Sequence, residues 1–186
     1  MIKVLIVYAT DYQNTFKMAE AVAAGVNSVT DCQAVLKLAE QAAPDDLAEC
    51  NALILGTPVH MGSPDWRVKK FIDSVCSQAW MKDACVGKVG GVFVSGSGYG
   101  SSGGGAEITM LALLNNLAEL GMILIPLPKS TPGYAEVGLQ WGPCARTAGT
   151  NFEQRGVSEA ALQVAKHHGA NIARAAIALG GAKIFA

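Results

Sequence analysis

The residues best suited to chemistry gather in three short stretches. The first, Ala9-Thr10-Asp11-Tyr12-Gln13-Asn14-Thr15, sets two hydroxyls and an amide between an aliphatic run and the start of an apolar-periodic segment. A helix start exposes unpaired N–H groups and a partial positive charge, so such a loop can hold a phosphomonoester without lysine or arginine. Simple capping of the helix by Asn14 or Thr15 is the other use of the same residues. The second stretch, Gly56-Thr57-Pro58-Val59-His60-Met61-Gly62-Ser63, combines a fixed proline, an apolar surface and one imidazole. It could lie against a flat ring system such as a flavin, with backbone groups reaching the ring's polar edge. His60 is either a proton donor there or a surface residue at the start of a helix. The third stretch, Ser95-Gly96-Ser97-Gly98-Tyr99 and the Gly/Ser tract after it, either lets the backbone approach a flat ligand or forms a flexible loop.

Several other chemistries are excluded. There is no G-x-x-x-x-G-K-[ST] loop, which argues against kinase and NTPase functions. A G-x-G-x-x-G match spans 98–103, but it follows the fourth strand rather than the first, so it is not a dinucleotide fingerprint. A phospho-receiver needs an aspartate where the third strand ends in Gly56-Thr57, despite Asp11 and Lys129. The five cysteines form no C-x-x-C and no metal-ligand spacing, so they read as small hydrophobes in a reducing compartment and no metal is expected. Trp141-Gly142-Pro143-Cys144 lacks the attacking first cysteine of a thiol redox site.

A net charge of −1, from 14 basic and 15 acidic residues, offers no stripe for nucleic acid or membrane. No apolar run approaches the roughly 18 residues of a span, and the amino terminus enters a strand at once. A cytoplasmic protein is expected.

The elements that must position these stretches alternate. Ile2 to Tyr8 is an aliphatic, β-branched run of the kind covered on both faces, which implies a parallel sheet. Phe16, Ala19, Val22, Ala23 and Val26 follow at helical spacing. Further strands are expected at Ala34 to Leu38, Ala52 to Gly56, Val89 to Ser95 and Met122 to Leu127. Helices are expected at Pro44 to Ala48, from a Ser63 cap with Pro64 in the first turn to Val75, and at Glu107 to Leu120. A last helix is expected from a Ser158 cap to just before Gly180-Gly181.

Residues 128–156 form a long irregular stretch, functional or mobile. Trp80 and Trp141 fall in expected loops, where each either covers a ring system or anchors its loop. Trp66 is expected to pack, and His167 and His168 to face solvent. With no linker, residues 1–186 are expected to form one domain. A doubly wound sheet binds ligand at the carboxyl ends of its strands, where the three stretches fall.

These blocks together resemble a family. K-V-L-I-V-Y-A-T-D-Y from Lys3, G-T-P-V-H-M-G at 56–62, F-I-D at 71–73, the Gly-rich loop before Ala106-Glu107 and L-A-E-L-G-M-I-L-I-P at 117–126 are similar in order to the WrbA-type NAD(P)H:quinone oxidoreductases. The resemblance implies a flavodoxin-like α/β fold, with a doubly wound five-stranded parallel sheet in order 2-1-3-4-5 and helices on both faces. It implies FMN as cofactor and NAD(P)H as co-substrate. Thr10, Asp11, Tyr12, Gln13, Asn14 and Thr15 would bind the phosphate. Thr57, Pro58, Val59, His60, Met61 and Gly62 would border the isoalloxazine, and Ser95, Gly96, Ser97, Gly98 and Tyr99 its other polar edge. Tyr12 would lie near the nicotinamide nucleotide and Trp80 would roof the substrate pocket; Trp141 is a further candidate for nicotinamide or substrate from its expected loop position alone. The chain departs from the family pattern with Gln13 in place of glycine, His60-Met61 in place of Arg-Phe, and Glu119-Leu120 where the family has a histidine. It also lacks a long segment between strands two and three.

The leading expectation is an FMN-dependent oxidoreductase that moves two electrons from NAD(P)H to a quinone or similar flat acceptor, in a homo-oligomer (dimer or tetramer). The alternative is an electron-carrier flavodoxin serving protein partners, although a charge of −1 gives little of the acidic steering such carriers use. A module that binds no cofactor is the third possibility.

Overall fold

Val4, Ile6 and Tyr8 point to one face of β1 (Ile2–Tyr8) and Leu5 and Val7 to the other, and all five are buried. A strand covered on both sides needs no polar alternation, so the run is continuously apolar. Each fully buried aliphatic side chain contributes roughly 1.5–3 kcal/mol, which makes this strand the anchor of two apolar layers. The computed structural model describes residues 1–100, 102–180, 182 and 184–185. Ser101 of the glycine tract and Gly181 after the last helix lie outside the described residues.

The chain then runs α1 (Asn14–Asn27), β2 (Cys32–Leu38), α2 (Pro44–Glu49), β3 (Ala52–His60) and β4 (Ser63–Pro64). A helical run follows: α3 (Trp66–Phe71), a π-helical stretch (Ile72–Cys76) and α4 (Ser77–Trp80). Next come β5 (Val89–Gly96), α5 (Ala106–Glu119), β6 (Ile123–Leu124), α6 (Tyr134–Val137), β7 (Gly138–Leu139), β8 (Gly142–Arg146) and α7 (Glu159–Leu179). β2, β1, β3 and β5 lie side by side and parallel, with Val4 opposite Ala52 and Ala52 opposite Val89. One layer packs α1 and α7 on Val4, Ile6, Ile54 and Phe93, and the other packs α2 to α5 on Leu5, Val7, Leu53 and Val92. α1 and α7 meet backbone to backbone, since a Cβ on Gly169 would collide with the carbonyl of Val22. The flavodoxin-like α/β fold is thus the observed one.

Five expectations are corrected. The fifth strand is split: β6 pairs with Val89 and Gly90, the chain leaves the sheet, and β8 returns to pair with Val94 to Gly96. Pro126 and Pro128 have no N–H to give to a ladder, which is why the strand expected to run to Leu127 stops early. The excursion between β6 and β8 carries α6 and β7, and β7 pairs antiparallel with β8. Ser63-Pro64 does not open a helix but forms the return arm of a hairpin with Val59 and His60. The true cap is Asp65, whose side chain accepts from the Arg67 amide at 2.8 Å.

Trp66, expected to pack, is 64% exposed, and Trp80 ends a helix rather than lying in a loop. His168, expected at the surface, is fully buried beside Ile172 on the α7 face that meets the sheet. Burial pushes its pKa down to about 4, and neither ring nitrogen has a side-chain hydrogen-bond partner among the described residues.

Candidate functional site

β1, β3 and β5 all end on the same edge of the sheet, and the three stretches singled out in the sequence meet there. They wall a cavity of about 360 Å³. From the first stretch it is lined by Thr10, Asp11, Tyr12, Asn14 and Thr15. The second contributes Pro58, Val59, His60, Met61 and Gly62, and the third Ser95, Gly96, Ser97 and Gly98.

The first loop enters α1 through Gln13, which sits in the left-handed region at φ 64° and gives the helix no side-chain cap. Neither Asn14 nor Thr15 caps it; Thr15 Oγ1 instead meets Ser95 Oγ at 2.8 Å, tying the first loop to the end of β5. The helix therefore presents uncapped amides and the positive end of its dipole to the cavity. Thr10 Oγ1 is buried on the same wall with no hydrogen-bond partner among the described residues. A buried hydroxyl left unpaired costs about 1–3 kcal/mol, and this one has its bonding capacity free on the cavity wall.

The second loop is the β3–β4 hairpin, turned by Met61 at φ 49° and Gly62 at φ 74°. This is a two-residue turn of the primed kind, which favours glycine and strains a methionine. Met61 is fully exposed at the tip. Behind the turn His60 lies 3.4 Å from an Asp11 oxygen and 3.0 Å from an Asp65 oxygen, and Arg67 contacts both carboxylates at 2.8 Å. Asp11, His60 and Asp65 bring three potential ligand atoms within 4.8 Å of one another, which no sequence spacing announced. The one guanidinium contacts both carboxylates and offsets one of their two charges, and its own positive charge opposes a metal cation at the trio.

The third loop is braced by the segment after β8. The Thr147 amide donates to the Gly96 carbonyl at 2.9 Å, the Gly100 amide to the Thr150 carbonyl at 3.2 Å, and the Arg146 guanidinium to the carbonyls of Gly98 and Gly100. Thr147 and Phe152 also line the cavity and neither is among the expected residues, whereas Gly104 belongs to the glycine tract expected there. Thr147 and Phe152 belong to the stretch whose strand was missed; the adjoining glycine tract was the available signal for Gly104.

Not every expected residue reaches the cavity. Gln13 shapes the helix start from outside. Thr57 is fully buried and turned inward, where its hydroxyl accepts from the Asp65 amide at 2.8 Å. Tyr99 is 67% exposed and lies against Phe152, ring centres 5.2 Å apart, at the rim. Trp80 lines a separate hollow with Cys76, Asn116 and Leu120. Trp141 packs half-buried against the core layer of Leu5 and Leu53. No described helix is long and apolar enough to cross a membrane.

Residues 14–135 match the family described as NADPH-dependent FMN reductase. The chain is 32% identical to a protein named NAD(P)H dehydrogenase (quinone) from Geobacter metallireducens, covering 96% of this chain and all of that one. It is also 32% identical to a protein of the same name from Syntrophobacter fumaroxidans, covering 89% of this chain and all of the relative. The crystal structure of a WrbA-like flavodoxin from Agrobacterium tumefaciens superimposes with a TM-score of 0.73 at 27% identity, over 96% of this chain and 99% of that one. With the uncapped helix and the three strand-end loops at one crevice, these matches settle kinship: the chain belongs to the NADPH-dependent FMN reductase family, on its WrbA-type branch.

Proposed function

We propose that the protein is an FMN-dependent oxidoreductase that moves two electrons from NAD(P)H to a quinone or similar flat acceptor. The observation that carries this reading is the start of α1: uncapped amides and the unpartnered Thr10 hydroxyl on one wall of the crevice. That wall fits a phosphate, and the apolar hairpin of Val59 and Met61 facing the backbone of 95–98 fits a flat ring system. FMN would be held at its phosphate by Thr10, Asn14, Thr15 and the first amides of α1, and at its rings by Pro58 to Gly62 and Ser95 to Gly98. When bound, it supplies the two-electron chemistry that no side chain has.

The chain's own residues do the positioning. The Thr15–Ser95 bond sets the distance between the first and third loops. Arg146 and Thr147 fix the carbonyls of the third loop, so its amides keep one orientation toward the crevice. Tyr12 and Tyr99, largely exposed at the mouth, can cover nicotinamide or acceptor. Trp80 and Trp141 stand outside this arrangement. We take residues 1–186 as one FMN-binding domain that acts in the cytoplasm as a homo-oligomer.

The exposed rim of Tyr12, Met61 and Tyr99 also suits docking of a protein partner, which an electron carrier would need. Anaerobic mixing of the FMN-loaded protein with NADPH, followed by a benzoquinone, separates the two readings. An enzyme is bleached by NADPH and turns over the quinone. A carrier bleaches only with a partner protein or a strong reductant and accumulates the one-electron state.

A further inference from the structure

His60 is approached at both ring nitrogens. Nδ1 lies 3.0 Å from Oδ2 of Asp65, and Nε2 lies 3.4 Å from Oδ2 of Asp11. Asp65 is completely buried, yet it is fully partnered: its Oδ1 accepts from the Arg67 amide and Nε, and its Oδ2 from Arg67 Nη2, each at 2.8 Å. Burial alone would raise the carboxyl's pKa, but the bonds from Arg67 hold it below the ordinary value, so it stays an anion at neutral pH. Arg67 Nη2 also reaches Oδ1 of Asp11 at 2.8 Å, so Asp11 is shared between guanidinium and imidazole. Lys69, Lys70 and Asp73 line the hollow on the outer side of His60 and complete its charged surroundings.

A buried, anionic carboxylate 3.0 Å from Nδ1 favours the tautomer that carries its proton there, and leaves Nε2 on the side of Asp11, in the wall of the crevice. Arg67 fixes the carboxylate in turn. The arrangement depends on His60, one of the positions where the chain departs from the family pattern, and on a hairpin that brings β4 back so that Asp65 follows directly behind the imidazole.

We infer that His60 is the proton donor to the reduced acceptor and that Asp65 is its positioning residue. The inference rests on reading the crevice as the site of electron transfer. Overall, a quinone gains two electrons and two hydrogens. NAD(P)H is oxidised and gives up a hydride equivalent, which supplies both electrons and one hydrogen. The second quinone oxygen takes a proton as the N–H bond at Nε2 of the imidazolium breaks and an O–H bond forms. The neutral ring left behind keeps its remaining proton on Nδ1, against Asp65. Water restores the imidazolium, since the His60 side chain is 42% exposed.

The test compares two acceptors in the FMN-loaded protein driven by NADPH: a benzoquinone, which needs protons, and ferricyanide, which takes electrons alone. In His60→Gln the quinone-to-ferricyanide rate ratio should fall at least about ten-fold, the lower end of what a positioned proton donor supplies. Asp65→Asn keeps the helix cap but loses the charge, and the ratio should fall in the same direction by a smaller factor. Nitrogen-15 NMR at alkaline pH should place the neutral proton of His60 on Nδ1, with that preference lost in Asp65→Asn. An unchanged ratio in His60→Gln, or a wild-type neutral ring protonated on Nε2, overturns the inference while the crevice reading stands. If NADPH reduces neither acceptor through the wild-type protein, both fall together. Should Asp65→Asn fail to fold, the partly exposed His60 still carries the test.

Discussion

The α1–α7 face of the sheet and the crevice at the sheet's edge are built on opposite terms. The face is apolar, fully buried and so close-packed that two helices touch through glycines, with the buried imidazole of His168 kept neutral by its surroundings. The crevice sets polar groups beside an apolar hairpin and is under strain. Of the five non-glycine residues at positive φ among the described residues, Gln13, Met61 and Phe152 shape or line it. An unpartnered hydroxyl, an uncapped helix and a methionine in a glycine-type turn each cost stability, and the face supplies what these features spend. Substitutions on the face should therefore cost folding and leave binding intact, whereas substitutions in the crevice should cost binding and leave folding unchanged or improved.

The largest effect expected is on the face. Ile172, completely buried on α7, should lose about 2–5 kcal/mol of folding free energy on change to alanine, measured by denaturant titration, while FMN affinity of the folded protein stays near wild type. Comparable loss of FMN affinity in Ile172→Ala would break the division between the two regions.

His168 gives the face a pH dependence of known sign. An unfolded histidine titrates near 6.5 and the folded one near 4, so below 6.5 the unfolded state binds more protons and stability drops as the pH is lowered. The full contribution is present above about pH 6.5, and about 3 kcal/mol is lost by about pH 4. His168→Met should flatten that part of the pH–stability curve; an unchanged slope would locate it elsewhere.

In the crevice, Thr10→Val should weaken FMN binding about ten-fold through one lost hydrogen bond, and should leave the cofactor-free protein as stable or slightly more so. A destabilised cofactor-free protein would mean that the hydroxyl serves the fold. The smallest effect is expected at Gln13, where glycine would relieve a left-handed backbone and stabilise by about 1 kcal/mol with little change in affinity. Calorimetry of Gln13→Gly reads both quantities.

The sequence was most legible where local pattern and tertiary role coincide. β1 was read at its observed bounds because a strand buried on both faces writes an unbroken apolar run. The Ser158 cap was read correctly because its bond to the Ala161 amide is local. Legibility failed where the deciding partner is distant. Ser63-Pro64-Asp65 carries a helix-start signature, but pairing with Val59 and His60 makes its first two residues a strand and shifts the cap to Asp65.

β8 spells Gly-Pro-Cys-Ala-Arg, with no strand pattern of its own, and exists because β5 offers an open edge. The position of His168, four residues after Val164 and four before Ile172, was a usable signal for burial that its polarity masked. In the crevice, the three loops were legible from motif and resemblance. The brace from Arg146 and Thr147 and the link of His60 to Asp65 through Arg67 were not, since they join segments that only the sheet brings together.

The most direct test of the central claim compares FMN with riboflavin, which has the same rings and no phosphate, in an equilibrium titration followed by flavin fluorescence. The crevice account predicts one-to-one binding of FMN, tighter than riboflavin by at least about ten-fold, because charge-assisted bonds from α1 and Thr10 act on the phosphate alone. Equal affinity for the two flavins, or no binding of either, would contradict it.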